Sequence, residues 1–193
     1  MFIKIDLKPT KTYPKPITFP VVLEALEQAM ADCYLGIGTP YEPIAIDNFV
    51  TIGGYVFPAL EPNTRIAITL EPDITDHKNI LSAPELVCCF VKNVGKSFTD
   101  KDCKLNGYWK HIFDYDDEWV QNAPDGTLYI APNNKGECKI ATRDKKLDEN
   151  VSYSIMFSMV MTNAENRERR YYFVLDPLVK ISSGGGTGIP VKD

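Results

Sequence analysis

The sequence predicts a single all-β domain, an antiparallel β-sandwich of jelly-roll-like or immunoglobulin-like kind, with one peripheral α-helix. Three observations predict it. Val151, Tyr153, Ile155, Phe157, Met159 and Met161 fall on one face at a period of two, with Ser152, Ser154, Ser158 and Thr162 opposite and Met156 and Val160 interrupting. That alternation is the signature of a strand with one buried and one mixed face. A polar link, Asn163 to Glu168, leads to a second alternating run from Arg169 to Leu175, so the two read as a hairpin. Short β-like runs recur along the rest of the chain between Gly, Pro and Asn turns, without the strand–helix alternation of a doubly wound fold.

From the N-terminus, Phe2, Ile3, Ile5 and Leu7 make a short first strand. Pro9, Pro14, Pro16 and Pro20 then enforce an extended path. The one helix is expected from Pro20 to Tyr34. Val21, Val22, Ala25, Leu26, Ala29, Met30 and Cys33 form an apolar stripe, with Pro20 suited to the first turn and Gly36 to the stop. It is expected to cover an edge or open end of the sheets. Strands follow over Ala45–Phe49, Tyr55–Leu60 and Arg65–Leu70. Leu86–Val91 is a continuous apolar run suited to a fully buried strand. Gly126–Ala131 and Glu137–Thr142 flank Asn133-Asn134-Lys135-Gly136, which reads as a hairpin turn. This makes about eight or nine strands. The domain is expected to span residues 1–181. Residues 182–193, SSGGGTGIPVKD, read as a flexible tail.

Composition limits the function. A chain of 193 residues with 44% hydrophobic and 24% charged content suits one soluble globular domain. The net charge of -5 argues against nucleic-acid binding as the main role. The dense basic stretches, Arg143–Lys146 and Arg167–Arg170, are each broken by an acid. No apolar run approaches the ~20 residues of a membrane span, and the first residues do not resemble a signal peptide. Five cysteines, Cys33, Cys88, Cys89, Cys103 and Cys138, lack CxxC spacing, so buried reduced thiols in a cytoplasmic protein are expected.

No motif calls for a cofactor, a metal or a catalytic residue. Gly184-Gly185-Gly186-Thr187-Gly188 lacks the strand before it and the GK[ST]-opened helix after it that a phosphate cradle needs. The stretch from Asp114 to Asp125 puts acids at the first, third, fifth and twelfth places of an EF-hand-like loop. Trp119 stands where that loop needs glycine, so a solvated acidic loop is expected. Only His77 and His111 are present, no serine lies in GxSxG, and no motif pairs a thiol with an imidazole. Glu71 and Asp176 both end strands before a proline, which reads as strand termination more simply than as a carboxylate pair.

The long alternating strand, followed by Tyr171-Tyr172-Phe173-Val174-Leu175-Asp176-Pro177 and then Ile181, resembles the closing segment of two bacterial families. One is the AidA/PixA-like inclusion body protein family, whose chains end with a strand, an aromatic, a DP pair and an apolar strand end. The other is the DP-EP domain family, also a small β-sandwich. The resemblance covers Val151 to Ile181 and has no counterpart for FIKIDLKPTKTYPKP or for the helix. It implies a β-sandwich without established catalysis that self-associates.

Two functions follow as expectations. The first is a non-enzymatic protein that assembles with itself or with another protein. Tyr108, Trp109, Tyr115 and Trp119 would anchor the interface, and Ile189, Pro190 and Val191 would act as an assembly tail. The second is a ligand- or carbohydrate-binding module. The same aromatics would stack on a sugar, while Asp114, Asp116 and Asp117 make polar contacts or hold calcium.

Overall fold

A computed structural model of the chain describes residues 1–8, 17–31, 37–46, 60–72, 77–93, 106–144, 149–163, 165–176 and 178–181. The strands are β1 (Phe2–Lys8), β2 (Ile17–Pro20), β3 (Ile44–Ala45), β4 (Arg65–Glu71), β5 (Glu85–Asn93), β6 (Phe113–Asp114), β7 (Val120–Asn122), β8 (Leu128–Ile130), β9 (Cys138–Thr142), β10 (Glu149–Thr162), β11 (Glu168–Leu175) and β12 (Leu178–Ile181). The helices are α1 (Leu23–Ala31) and α2 (Asn106–Ile112). One sheet runs β2-β1-β4-β9-β6. The other runs β3-β11-β10-β5-β8-β7, with β12 also on β10. The sheets face each other across one core, as an all-β sandwich must to bury both apolar faces.

β10 is the hub. It pairs with β5 on one side and with β11 and then β12 on the other. Its period-two face lies inward: Val151, Ile155, Phe157, Met159 and Met161 are buried, and Tyr153 is half-buried. Tyr171, Phe173 and Leu175 of β11 are buried beside them, with Phe157 and Phe173 stacked at 5.3 Å. The connecting turn is the expected one. The Asn163 side chain accepts from the amides of Glu165 and Arg167, and Asn166 takes a positive φ of 56°. Asparagine tolerates that conformation because its short polar side chain bonds locally.

β11 would present a free edge, but residues 37–46 cover it. Tyr172 N donates to Gly38 O at 2.9 Å, and Ile46 N donates to Val174 O at 2.9 Å. Between them β3 pairs with β11 in parallel, and among the described residues every other named strand pair is antiparallel, as expected. Covering an edge removes a template for unwanted strand pairing.

Several expectations change on contact with the fold. Pro20 does not open the helix. It ends β2, opposite Phe2, on an edge strand where a missing amide donor costs no ladder bond. Helix α1 starts at Leu23 and buries Leu26 and Met30, while Val22 is exposed. Glu27 ties it to the segment beside the end of β10, accepting from Asn79 N at 3.1 Å and lying 3.3 Å from His77 Nδ1. A second helix, α2, was not legible; Gly107 lowers its propensity, and burial of Tyr108, Trp109 and Ile112 stabilises it instead. β5 is central but not fully buried. Cys89, Val91 and Asn93 point inward, and Leu86, Val87 and Cys88 are half-buried.

The largest departure concerns β8 and β9. They do not form a hairpin. β8 pairs with β5 and β7 in one sheet, and β9 pairs with β4 and β6 in the other. The Asn133–Gly136 turn therefore carries the chain across the sandwich. Its local bonds, Gly136 N to Asn133 O and Asn133 N to Glu137 O, are those of a tight turn and do not encode which strand lies beyond. Residues 55–59 of the expected strand Tyr55–Leu60, most of Ala45–Phe49, Cys33, Cys103 and the tail from 182 to 193 lie outside the described residues, and Leu60 is buried but in no strand.

Candidate functional site

The seven candidate contact residues divide into two groups. Tyr108 and Trp109 belong to the core: Trp109 has no exposed surface and Tyr108 is buried. The Trp109 indole donates to Gly126 O at 2.9 Å and stacks on Phe113 at 6.1 Å, while the Asn93 amide donates to the Tyr108 hydroxyl. Expecting these two residues at an interface was incorrect, because α2 turns both inward. Asp114, Tyr115, Asp116 and Trp119 instead line one concave surface. Asp117 lies beside it and pairs with Lys110 at 2.6 Å.

Ladder register builds this trough from below. Along β4, buried Ile66 and Ile68 alternate with outward Arg65 and Ala67; along β9, outward Lys139 and Ala141 alternate with inward neighbours. Ala141 sits between Arg65 of β4 and Asp114 of β6, and Ala67 sits opposite Lys139. Two alanines in the middle of a sheet face leave a low floor. Segment 115–119 forms one wall. Its turn is closed by the Trp119 amide to Asp116 O at 3.1 Å and the Glu118 amide to Asp116 Oδ1 at 3.0 Å. The Trp119 carbonyl accepts the Ala131 amide at 2.7 Å, which fixes the wall to the segment after β8. Lys110 Nζ lies 5.7 Å from the Tyr115 ring centre, within cation–π range.

The Asn133–Glu137 loop supplies the other wall. The Asn133 side chain accepts from the amides of Lys135 and Glu137 and donates to the Glu137 carboxylate. Glu137 also pairs with Lys139, and that bond, before any other influence, holds its carboxyl below the usual carboxylate range. Burial raises the Tyr115 phenol above its ordinary value. The hollow against Tyr115 and Trp119 measures about 350 Å³. It continues into a second hollow of about 650 Å³ lined by Asn63, Arg143 and Asp144, and the two share Arg65, Asp114 and Ala141.

The acids do not assemble as a calcium loop. Asp114 faces Arg143 at 3.3 Å, Asp116 caps its own turn, and Asp125 accepts the Thr127 amide at 2.9 Å. Among the described residues no group of three or more His, Cys, Asp or Glu side chains is placed to hold a metal. Glu71 pairs with Lys4, and Asp176 accepts from Ser154, so the two strand-ending acids serve different partners. Between the sheets, Cys89 and Cys138 line an apolar cavity of about 40 Å³, far below ligand size. Cys88, Cys89 and Cys138 are free thiols.

The β4 and β9 half of the trough, with Arg65, Asn133, Glu137 and Lys139, was not legible in the sequence. Reading β8 and β9 as a hairpin kept β9 away from β4, so nothing placed Arg65 near Asp114. Among the described residues no helix is long and apolar enough to cross a membrane. Compared with known proteins, the chain matches no family model, no curated protein and no solved structure.

Proposed function

We propose that this chain is a ligand-binding β-sandwich whose site is the trough over β4, β9 and β6, and that the ligand class is a saccharide. One observation carries the reading: two partly buried aromatics at the margin of the core, Tyr115 and Trp119, share a concave surface with Asp114, Asp116, Asn133, Glu137 and Lys139. A sugar ring offers an apolar face to an aromatic ring and a rim of hydroxyls to carboxylates and amides. Few convergent polar groups on a rigid wall are what fix such a ligand's orientation. The walls are held by backbone bonds on both sides, so little ordering is needed when a ligand enters.

Self-assembly draws less support. Two of its four proposed anchors, Tyr108 and Trp109, are buried, and its proposed tail lies outside the described residues. A cytoplasmic setting remains part of the proposal, with the free thiols Cys88, Cys89 and Cys138 as its support.

The test is a thermal-shift screen of the full chain against a glycan panel, followed by calorimetry on any hit. A native-state ligand raises the melting temperature. Binding that disappears in Trp119→Ala, with the fold retained, supports the site. A panel without any hit, or a hit indifferent to Trp119→Ala and Tyr115→Ala, overturns it.

A further inference from the structure

The charges in the trough are nearly all engaged with one another. Lys139 pairs with Glu137. Arg143 faces Asp114 at 3.3 Å and donates from Nε to the carbonyls of Lys110 and Phe113. Asp144 accepts the Asn63 amide at 2.9 Å, and Asp116 is occupied in its turn. Arg65 stands apart. Its residue is exposed, it lines both hollows, and among the described residues its guanidinium has no ion pair or hydrogen bond. An anion arriving between the two hollows would satisfy a fork of donors already in place.

We infer that the trough is selective for an acidic saccharide, its ring seated against Trp119 and Tyr115 and its carboxylate received by Arg65. This rests on the proposed saccharide site and adds the ligand's charge. The planar guanidinium matches a carboxylate through two parallel hydrogen bonds, which an ammonium does not reproduce. The net charge of -5 on the whole chain is compatible with this, because the acids lining the trough are already engaged and exposed charges beyond about 10 Å are screened.

The test uses the full chain and two probes, a uronic-acid tetrasaccharide and its carboxyl-reduced neutral counterpart, in calorimetric titrations at low and high salt. The expected result is at least about ten-fold tighter binding of the acidic probe, the worth of one charge-assisted contact. That preference shrinks at high salt. Arg65→Gln loses the preference and keeps the affinity for the neutral probe, and Arg65→Lys restores only part of it. Equal binding of the two probes by the unmodified chain overturns the inference while leaving the saccharide site standing. A preference that survives Arg65→Gln also overturns it. Failure of both probes to bind overturns it together with the saccharide reading.

Discussion

Thr64 and Thr142 are bonded to each other twice, from the Thr64 amide to the Thr142 hydroxyl at 2.8 Å and from the Thr142 amide to the Thr64 carbonyl at 2.9 Å. Both hydroxyls then donate to the carbonyl of Glu61, at 2.8 and 2.6 Å. Both residues are buried, and they adjoin the Arg65–Ala141 pair that forms the trough floor. Thr142→Val keeps the shape and strands the Thr64 amide, so it should destabilise the fold by about 1–3 kcal/mol. Urea unfolding measures this; an unchanged midpoint would show that the clamp is dispensable.

The two tryptophans should behave oppositely. Trp109 is wholly buried, so Trp109→Ala should cost about 3–5 kcal/mol. Trp119 is half-buried at the trough wall, so Trp119→Ala should cost clearly less and act on binding instead. Parallel denaturation and titration of the two variants separates the roles.

Stability should decline in alkali. Burial, with a smaller contribution from Cys138, pushes the Cys88 thiol from an ordinary 9.0 up to about 12. Burial also raises Cys89 and Tyr153 well above their ordinary values. Between pH 9 and pH 12 the folded chain therefore holds protons at Cys88 that the unfolded chain has released. Its contribution is complete below pH 9 and is lost as pH rises through that window. Urea midpoints should fall across it, and the fall should be shallower in Cys88→Ala. Iodoacetamide at pH 8 should label Cys88 slowly until the chain unfolds.

Gly38 should tolerate no side chain. Its φ is +74°, and an added Cβ would lie 2.9 Å from Tyr171 Cδ1 and 3.0 Å from Ile44 Cδ1. Gly38→Ala should cost about 1–3 kcal/mol through backbone strain and crowding. The same change loosens the cover over β11, so light scattering should detect association that the unmodified chain does not show at equal concentration.

The parts of the fold legible in the sequence are those where one face is buried and the other is not. β10 and β11 show this plainly, because Phe157, Met159, Tyr171 and Phe173 need the same side of their strands. α2 was hidden because seven residues with Gly107 among them have no strong helical preference of their own. The Asn133–Gly136 turn misled for a different reason. Turn chemistry reports the bend of four residues and is silent on whether the next strand returns to the same sheet. The site followed the same division: Asp114 to Trp119 are neighbours in sequence and stood out, whereas Arg65 and Lys139 reach them only through ladder register.

The repeated passage of the chain from one sheet to the other has a consequence for biosynthesis. β1, β2 and β4 can pair soon after they leave the ribosome, but β5 emerges with both flanks open. Its partners β8 and β10 begin at Leu128 and Glu149. At roughly 5–20 residues per second, several seconds separate β5 from its second neighbour. Throughout that interval Leu86-Val87-Cys88-Cys89-Phe90-Val91 is an uncharged, β-prone segment without its sheet. Pausing of translation before Glu149, or depletion of the chaperones that hold nascent chains, should lower the yield of this protein far more than its folded stability would indicate.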